Sequence, residues 1–195
     1  MKVMIDYQKI IDNYFPADEN RKLRDILLLH SKAVADMAVE ICRRHPELNA
    51  DEDFVYAAAM LHDIGIVRCD ADGIACYGTE PYICHGTLGA KMIEEYLDAE
   101  GITEREEYMK AARVCARHTG TGITVEAIRA QHLPLPEEDL QPETMEEKVI
   151  CYADKFFSKT KLDRKKSFEQ AEHSLKKFGE EGVAIFRQWH ERFGC

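Results

Sequence analysis

In the stretch Leu23-Arg24-Asp25-Ile26-Leu27-Leu28-Leu29-His30-Ser31-Lys32-Ala33-Val34-Ala35-Asp36-Met37-Ala38-Val39-Glu40-Ile41, one set of side chains recurs at steps of three and four. Leu23, Ile26, Leu27, His30, Val34, Met37 and Ile41 fall on a single stripe, the signature of a helix with one buried face. This helix is expected over about 20–45 and stops at Pro46. Working outward, the same period governs nearly the whole chain, and no strong strand alternation interrupts it. A short helix is expected near 3–14, closed by Phe15-Pro16, and another over about 51–62, with acids in its first turn and Gly65 just past its end. Residues 66–84, punctuated by Gly73, Gly78 and Pro81, read as a loop long enough to carry a binding role. Helices resume over about 85–99 and again from the capping box Thr103-x-x-Glu106 to His118. A short helix near 124–131 leads into the rigid connector Leu133-Pro134-Leu135-Pro136. A second capping box, Thr144-x-x-Glu147, opens a helix through Asp154 and Phe157, and amphipathic segments at about 165–178 and 180–193 finish the chain. The expectation is one all-α domain over 1–195, with its core at about 20–160 and the C-terminal helices of 161–195 packed on it.

Composition narrows the function classes. The chain has 195 residues and a net charge of −10, from 26 Lys plus Arg against 36 Asp plus Glu. That balance argues against a nucleic-acid polymer or an anionic membrane as partner, since such binding runs mainly on Lys and Arg. No segment approaches the apolar length of a membrane span, and Met1-Lys2-Val3-Met4-Ile5-Asp6 lacks the apolar run of a signal peptide. Seven scattered cysteines form no C-x-x-C pair, which points to reduced thiols and a cytoplasmic protein. Cys115 and His118 lie one helical turn apart and suit zinc, although a small buried thiol is the commoner role.

Several polar residues stand where apolar ones belong. His30 interrupts the long stripe, and His62-Asp63 close an apolar helix. Asp154 follows Ile150 by one turn and precedes Phe157 by another, so a carboxylate faces the core. A buried carboxylate needs a cation nearby. Lys155 points about 100° away around the helix, which makes a metal the better partner. His85 opens a helix, and His118 closes the row Tyr108, Ala111, Cys115, His118. Four imidazoles and two carboxylates then form a shell suited to first-row transition metals.

The order His30, His62-Asp63, His85, His118, Asp154 resembles the HD-domain superfamily of metal-dependent phosphohydrolases. The run Met60-Leu61-His62-Asp63-Ile64-Gly65 resembles its HDIG form. This resemblance implies an all-α bundle with metal between helices. It also implies that His30, His62, Asp63 and Asp154 form the basic metal site, with Asp63 bridging to a second ion. His85 and His118 match the extra histidines of the binuclear subgroup. The segments His118-Thr119-Gly120 and Ala153-Asp154-Lys155 are similar to bacterial diadenosine-tetraphosphate hydrolases of the superfamily. Two departures bear on substrate. Ile66 and the lack of a Gly-Tyr-Pro segment set the chain apart from cyclic-di-GMP phosphodiesterases. Phe156-Phe157-Ser158 replaces the Glu-Pro that follows the last Asp in the dinucleotide hydrolases.

The implied activity is hydrolysis of a phosphoester or phosphoanhydride in a nucleotide or other small phosphorylated metabolite, with metal-activated hydroxide as nucleophile. Two divalent ions are expected, iron first, with manganese, cobalt, zinc or nickel as alternatives. Asp63 and Lys155 are the expected catalytic residues. Lys155 belongs to the one basic cluster of the chain, with Lys159, Lys161, Arg164, Lys165 and Lys166, otherwise read as a solvated helix end. Arg68, Lys32, Thr119 and Thr121 are secondary candidates for phosphate contacts. A binuclear-iron oxygenase with the same ligands, or a non-enzymatic metal- or nucleotide-binding sensor, are the competing classes.

Overall fold

A computed structural model describes residues 4–194, which leaves Met1, Lys2, Val3 and Cys195 of the sequence reading outside the described residues. The stripe from Leu23 to Ile41 lies on helix α2 (Arg21–Arg44), started by the Asn20 side chain, which accepts from the Leu23 amide at 3.1 Å. Its apolar face is buried against α3 (Glu52–Leu61) and α7 (Met145–Asp154). Leu27, Val34 and Ala35 are fully withdrawn from water. Helices α4 (His85–Ala99) and α5 (Glu106–Arg117) pack extensively on each other, and α5 reaches α3 and α7. Short α1 (Tyr7–Tyr14) packs on α3 with Ile10 and Ile11 in the main core, and Ile128 of α6 (Val125–Ala130) joins a small apolar cluster with Ile123 and Leu140. Helix α9 (Glu180–Phe193) packs on α7, where Tyr152 meets Phe186 and Phe193 at ring-centroid distances of 5.2 and 5.6 Å, and α8 (Phe168–Leu175) packs on α9. The protein is a mostly helical, all-α bundle, as its periodicity predicts. No helix among the described residues is long and apolar enough to cross a membrane.

Helix starts follow local chemistry closely. At α7 both halves of the capping box form, the Thr144 hydroxyl accepting from the Glu147 amide while the Glu147 carboxylate accepts from the Thr144 amide. Glu147 also holds Arg113 of α5 at 2.9 Å, and Arg113 and Arg117 both reach Glu143, tying α5 to α7. The expected box at Thr103 does not form. Helix α5 begins at Glu106, so Glu106 occupies the first helical position rather than the third, too early to bond back to a cap. Glu106 instead pairs with Lys110 one turn on. Helix α7 stops at Asp154, short of the expected Phe157, and α8 is opened by a capping box of Ser167 and Gln170.

Residues 66–84 are more ordered than a loop. A 3₁₀ segment (Ile64–Arg68) leads into a minimal hairpin of β1 (Asp70–Ala71) and β2 (Cys76–Tyr77), antiparallel with Asp70 opposite Tyr77. The Asn20 amide donates to the Ala75 carbonyl at 2.7 Å, fixing the hairpin to the start of α2. Strands of two residues carry no readable alternation, which is why the pattern is silent here.

Glycine sets the spacing between α4 and its neighbours. A Cβ at Gly65 would overlap the His85 carbonyl, and one at Gly86 would lie 2.5 Å from the Cys115 carbonyl oxygen of α5. Both contacts bring the start of α4 up to the segments that carry Asp63 and His118. Gly86→Ala is therefore expected to lower stability by about 1–3 kcal/mol through overpacking. Gly73→Ala, with nothing within 4 Å of the added carbon, should stay within about 0.5 kcal/mol of the parent. Urea denaturation of the two variants compares them directly, and equal midpoints would contradict this account of the packing.

Candidate metal centre

The six residues singled out in the sequence converge. His30 projects from the middle of α2, and His62 and Asp63 follow α3. His85 is the first residue of α4, His118 follows α5, and Asp154 is the last residue of α7. His62 and Asp63 are completely buried, and His30, His85 and His118 nearly so. His30 Nε2 lies 3.0 Å from both Asp63 Oδ2 and Asp154 Oδ1. His62 Nε2 stands 3.0 Å from the same Asp63 oxygen and 3.5 Å from Asp154 Oδ1. The other Asp63 oxygen, Oδ1, lies 3.4 Å from His85 Nε2 and 3.3 Å from His118 Nε2. Two donor groups result, His30–His62–Asp63–Asp154 and Asp63–His85–His118, each with its ligand atoms within 4.8 Å of one another. Asp63 belongs to both.

Protonation can be assigned from the backbone. The Nδ1 atoms of His62, His85 and His118 lie 2.6, 2.6 and 2.7 Å from the carbonyls of Ala59, Tyr82 and Cys115. A carbonyl only accepts, so each Nδ1 carries hydrogen and, in the neutral ring, Nε2 presents a lone pair inward. The Nε2 atoms of His85 and His118 are 3.0 Å apart. Two lone pairs at that distance repel, and a shared cation resolves the conflict. His62 Nε2 and Asp63 Oδ1 are also buried without a hydrogen-bond partner. Imidazole nitrogens with carboxylate oxygens suit divalent first-row metals, so these residues fit a binuclear divalent-metal site.

The electrostatics separate His62 from His85 and His118. Burial opposes charge on His62, yet Asp63 and Asp154 outweigh it and push its pKa up to about 9. Burial and the neighbouring His118 push His85 down to about 3, and burial lowers His118. Burial alone would raise the Asp63 carboxyl, but His62 and Lys159 hold it well below the usual range. At Asp154, Lys155 and His30 likewise overcome burial.

The basic cluster divides in two. Lys155 donates to Asp154 Oδ2 at 2.7 Å and to the His118 carbonyl at 2.8 Å. Lys159, not distinguished from its neighbours in the sequence, reaches Asp63 Oδ2 at 2.5 Å. Lys161, Arg164 and Lys165 are exposed, and Lys166 is half-buried. The secondary candidates Arg68 and Lys32 pair with Glu95 and Asp36 instead. Cys115 donates to the Leu61 carbonyl at 3.3 Å and is outside both donor groups, so the Cys115–His118 pair is not a zinc site. Tyr82 joins the centre without a periodic signal in the sequence. Its ring stacks on His85 at 4.7 Å, and its only signal was a position three residues before that histidine. A cleft of about 560 Å³ opens beside the centre, lined among others by Tyr82, His85, His118, Asp154 and Lys159, with Thr119 and Thr121 in its wall.

The sequence profile of the HD domain matches residues 27–159. The chain belongs to the HD-domain family. It is 30% identical over 184 residues to a tRNA (cytidine(56)-2'-O)-methyltransferase of Thermoplasma volcanium, covering 94% of this chain and 45% of that protein. An enzyme of the same name from Picrophilus torridus is 32% identical over 71% of this chain and 33% of its own length. An uncharacterized protein of Methanocaldococcus jannaschii is 34% identical over 68% of this chain and 66% of its own length. The chain thus spans less than half of the two methyltransferases. No solved structure matches it. Within the HD domain, the assembled cluster fits a binuclear divalent-metal site.

Two outcomes follow for metal binding. His85→Ala and His118→Ala are each expected to lower the bound stoichiometry from about two ions toward one, while Asp63→Ala should weaken both sites. Metal analysis after dialysis reads this, and full occupancy in both histidine variants would count against the second donor group. His62 carries a proton below about pH 9, yet a ligand imidazole must be neutral. Metal uptake at pH 7 should therefore expel about one proton, and affinity should rise with pH and level off near 9. Calorimetry in buffers of different ionisation enthalpy measures the release.

Proposed function

We propose that this HD domain hydrolyses a phosphoester or phosphoanhydride bond in a nucleotide or another small phosphorylated metabolite, using a metal-activated hydroxide. The observation that carries the reading is Asp63, whose two buried oxygens each face a separate histidine pair beside an open cleft. In this reading His30, His62, Asp63 and Asp154 hold one ion, and Asp63, His85 and His118 hold the other. The mixed donors suit iron, our first choice, as well as manganese, cobalt, zinc and nickel. Bound there, the ions supply an acidified water and neutralise charge on the phosphoryl group.

The chain's own residues supply the rest. Lys155 acts as a positioning residue, because its ammonium holds the Asp154 carboxylate and the His118 carbonyl at once. Lys159, on Asp63 and 5.9 Å from the Tyr82 ring centroid, lines the cleft where phosphate oxygens would lie. Ile83, Ile123 and Leu133 line the same cleft and offer apolar surface that a nucleobase can cover. The tRNA in the relatives' names belongs to proteins of which this chain spans less than half. With a net charge of −10, we read the segment as acting on a small molecule rather than a nucleic-acid polymer. We also read it as cytoplasmic, which its free, buried cysteines support.

The test is a panel of phosphomonoesters, nucleotides and dinucleoside polyphosphates, offered to metal-loaded protein with and without dioxygen. Turnover should proceed anaerobically and fall by about 10²–10³-fold or more in Asp63→Ala, the scale of losing a preorganised charged group. Helicity by circular dichroism should persist in that variant. Strict dependence on dioxygen would instead favour oxygenase chemistry, and tight nucleotide binding without turnover would favour a sensor.

A further inference from the structure

Among the described residues, Lys155, Lys159, Lys166 and Lys177 line the cleft, with Asp154 and Glu181 as its lining carboxylates. With Asp63 beneath the cleft counted, four cations face three anions, a local excess of one positive charge in a chain whose net charge is −10. Lys155 and Lys159 are engaged by Asp154 and by Asp63 beneath the cleft. Lys166 differs. Its Nζ donates to the Lys155 carbonyl at 3.2 Å, which satisfies one donor without cancelling the charge. The segment carrying it is folded back, with the Lys166 amide donating to the Phe156 carbonyl at 2.8 Å. Half-burial and the like charges of Lys155, Lys177 and Lys159 hold its pKa below the ordinary lysine value despite the attraction of Asp154. Crowded ammonium groups in a partly dry cleft repel one another, and an anion bound among them relieves that repulsion. A single phosphoryl group brings at most about two negative charges, and the metal centre claims those oxygens first. The lysine excess is left for a second anionic group.

We propose that Lys166 is a specificity-determining residue that binds a second phosphate of the substrate, so that the cleft prefers compounds with two linked phosphates over monophosphates. This rests on the phosphohydrolase reading above, but its test separates from that reading. The probes are inorganic pyrophosphate and orthophosphate, bound to manganese-loaded protein and followed by calorimetry. Pyrophosphate should bind about tenfold tighter than orthophosphate, the scale of one charge-assisted contact. Lys166→Gln keeps a donor for the Lys155 carbonyl but removes the charge, and should collapse that ratio to about twofold or less; Lys166→Arg should retain most of it. No preference in the parent protein would overturn the proposal, as would an unchanged ratio in Lys166→Gln or an equal loss for both anions. Melting temperatures of the two variants confirm that both are folded before the ratios are compared. If pyrophosphate is preferred through Lys166 while no phosphorylated compound is hydrolysed, the subsite stands and the hydrolase reading fails. If hydrolysis proceeds with no such preference, the hydrolase reading stands and the subsite fails.

Discussion

Asp63 is withdrawn completely from water, and a carboxylate placed there needs cationic or donor partners on both oxygens. The rest of the centre is arranged around that requirement. One oxygen faces His30, His62 and Lys159, and the other faces His85 and His118. Each partner arrives on a different part of the chain, so the helices can pack in few ways that leave all of them within reach. The close glycine contacts at Gly65 and Gly86 are part of the same constraint, because bulk at either position would separate the start of α4 from Asp63 and His118.

Helix termini do much of the orienting. His62, His85 and His118 each stand just past the end of a helical segment, and the ring of each bonds the backbone carbonyl three residues earlier. The same contact fixes ring direction and tautomer, which leaves the inward nitrogen as a donor for a metal. His30 sits mid-helix, and its direction is set by the two carboxylates it meets. Asp154 lies at the last turn of α7, where aligned carbonyls disfavour a negative charge. Lys155 offsets that penalty from the next residue.

Much of this was legible in the sequence. The three- and four-residue steps from Leu23 to Ile41 specify a one-faced helix, and His30 betrays itself as the polar member of that face. Asp154 stands out by the same logic. Features with no periodic signal were not legible. The hairpin at Asp70–Tyr77 is too short to alternate, and Thr103 mimics a cap because residue spacing does not reveal where the first helical turn begins. Lys159 and Lys166 were hidden for a different reason. They follow the end of α7, where direction depends on how the chain turns back over the cleft, and nothing local distinguishes them from exposed Lys161 and Lys165. Tyr82 was hidden because its role arises from stacking between residues that share no periodic pattern.

The contact between His30 and Asp154 joins positions 124 residues apart. An ion held by both would act as a cross-link that closes most of the chain into one ring, and closing so large a ring in an unfolded coil is entropically costly. The unfolded chain therefore offers the ion no comparable site, and each ion bound draws the population toward the folded state. At a free concentration one thousand times the dissociation constant, that linkage is worth about 4 kcal/mol per site. Depleting the metal would then loosen the whole bundle along with the chemistry, making the same ions a staple of the fold and tying the protein's resistance to proteolysis to metal supply.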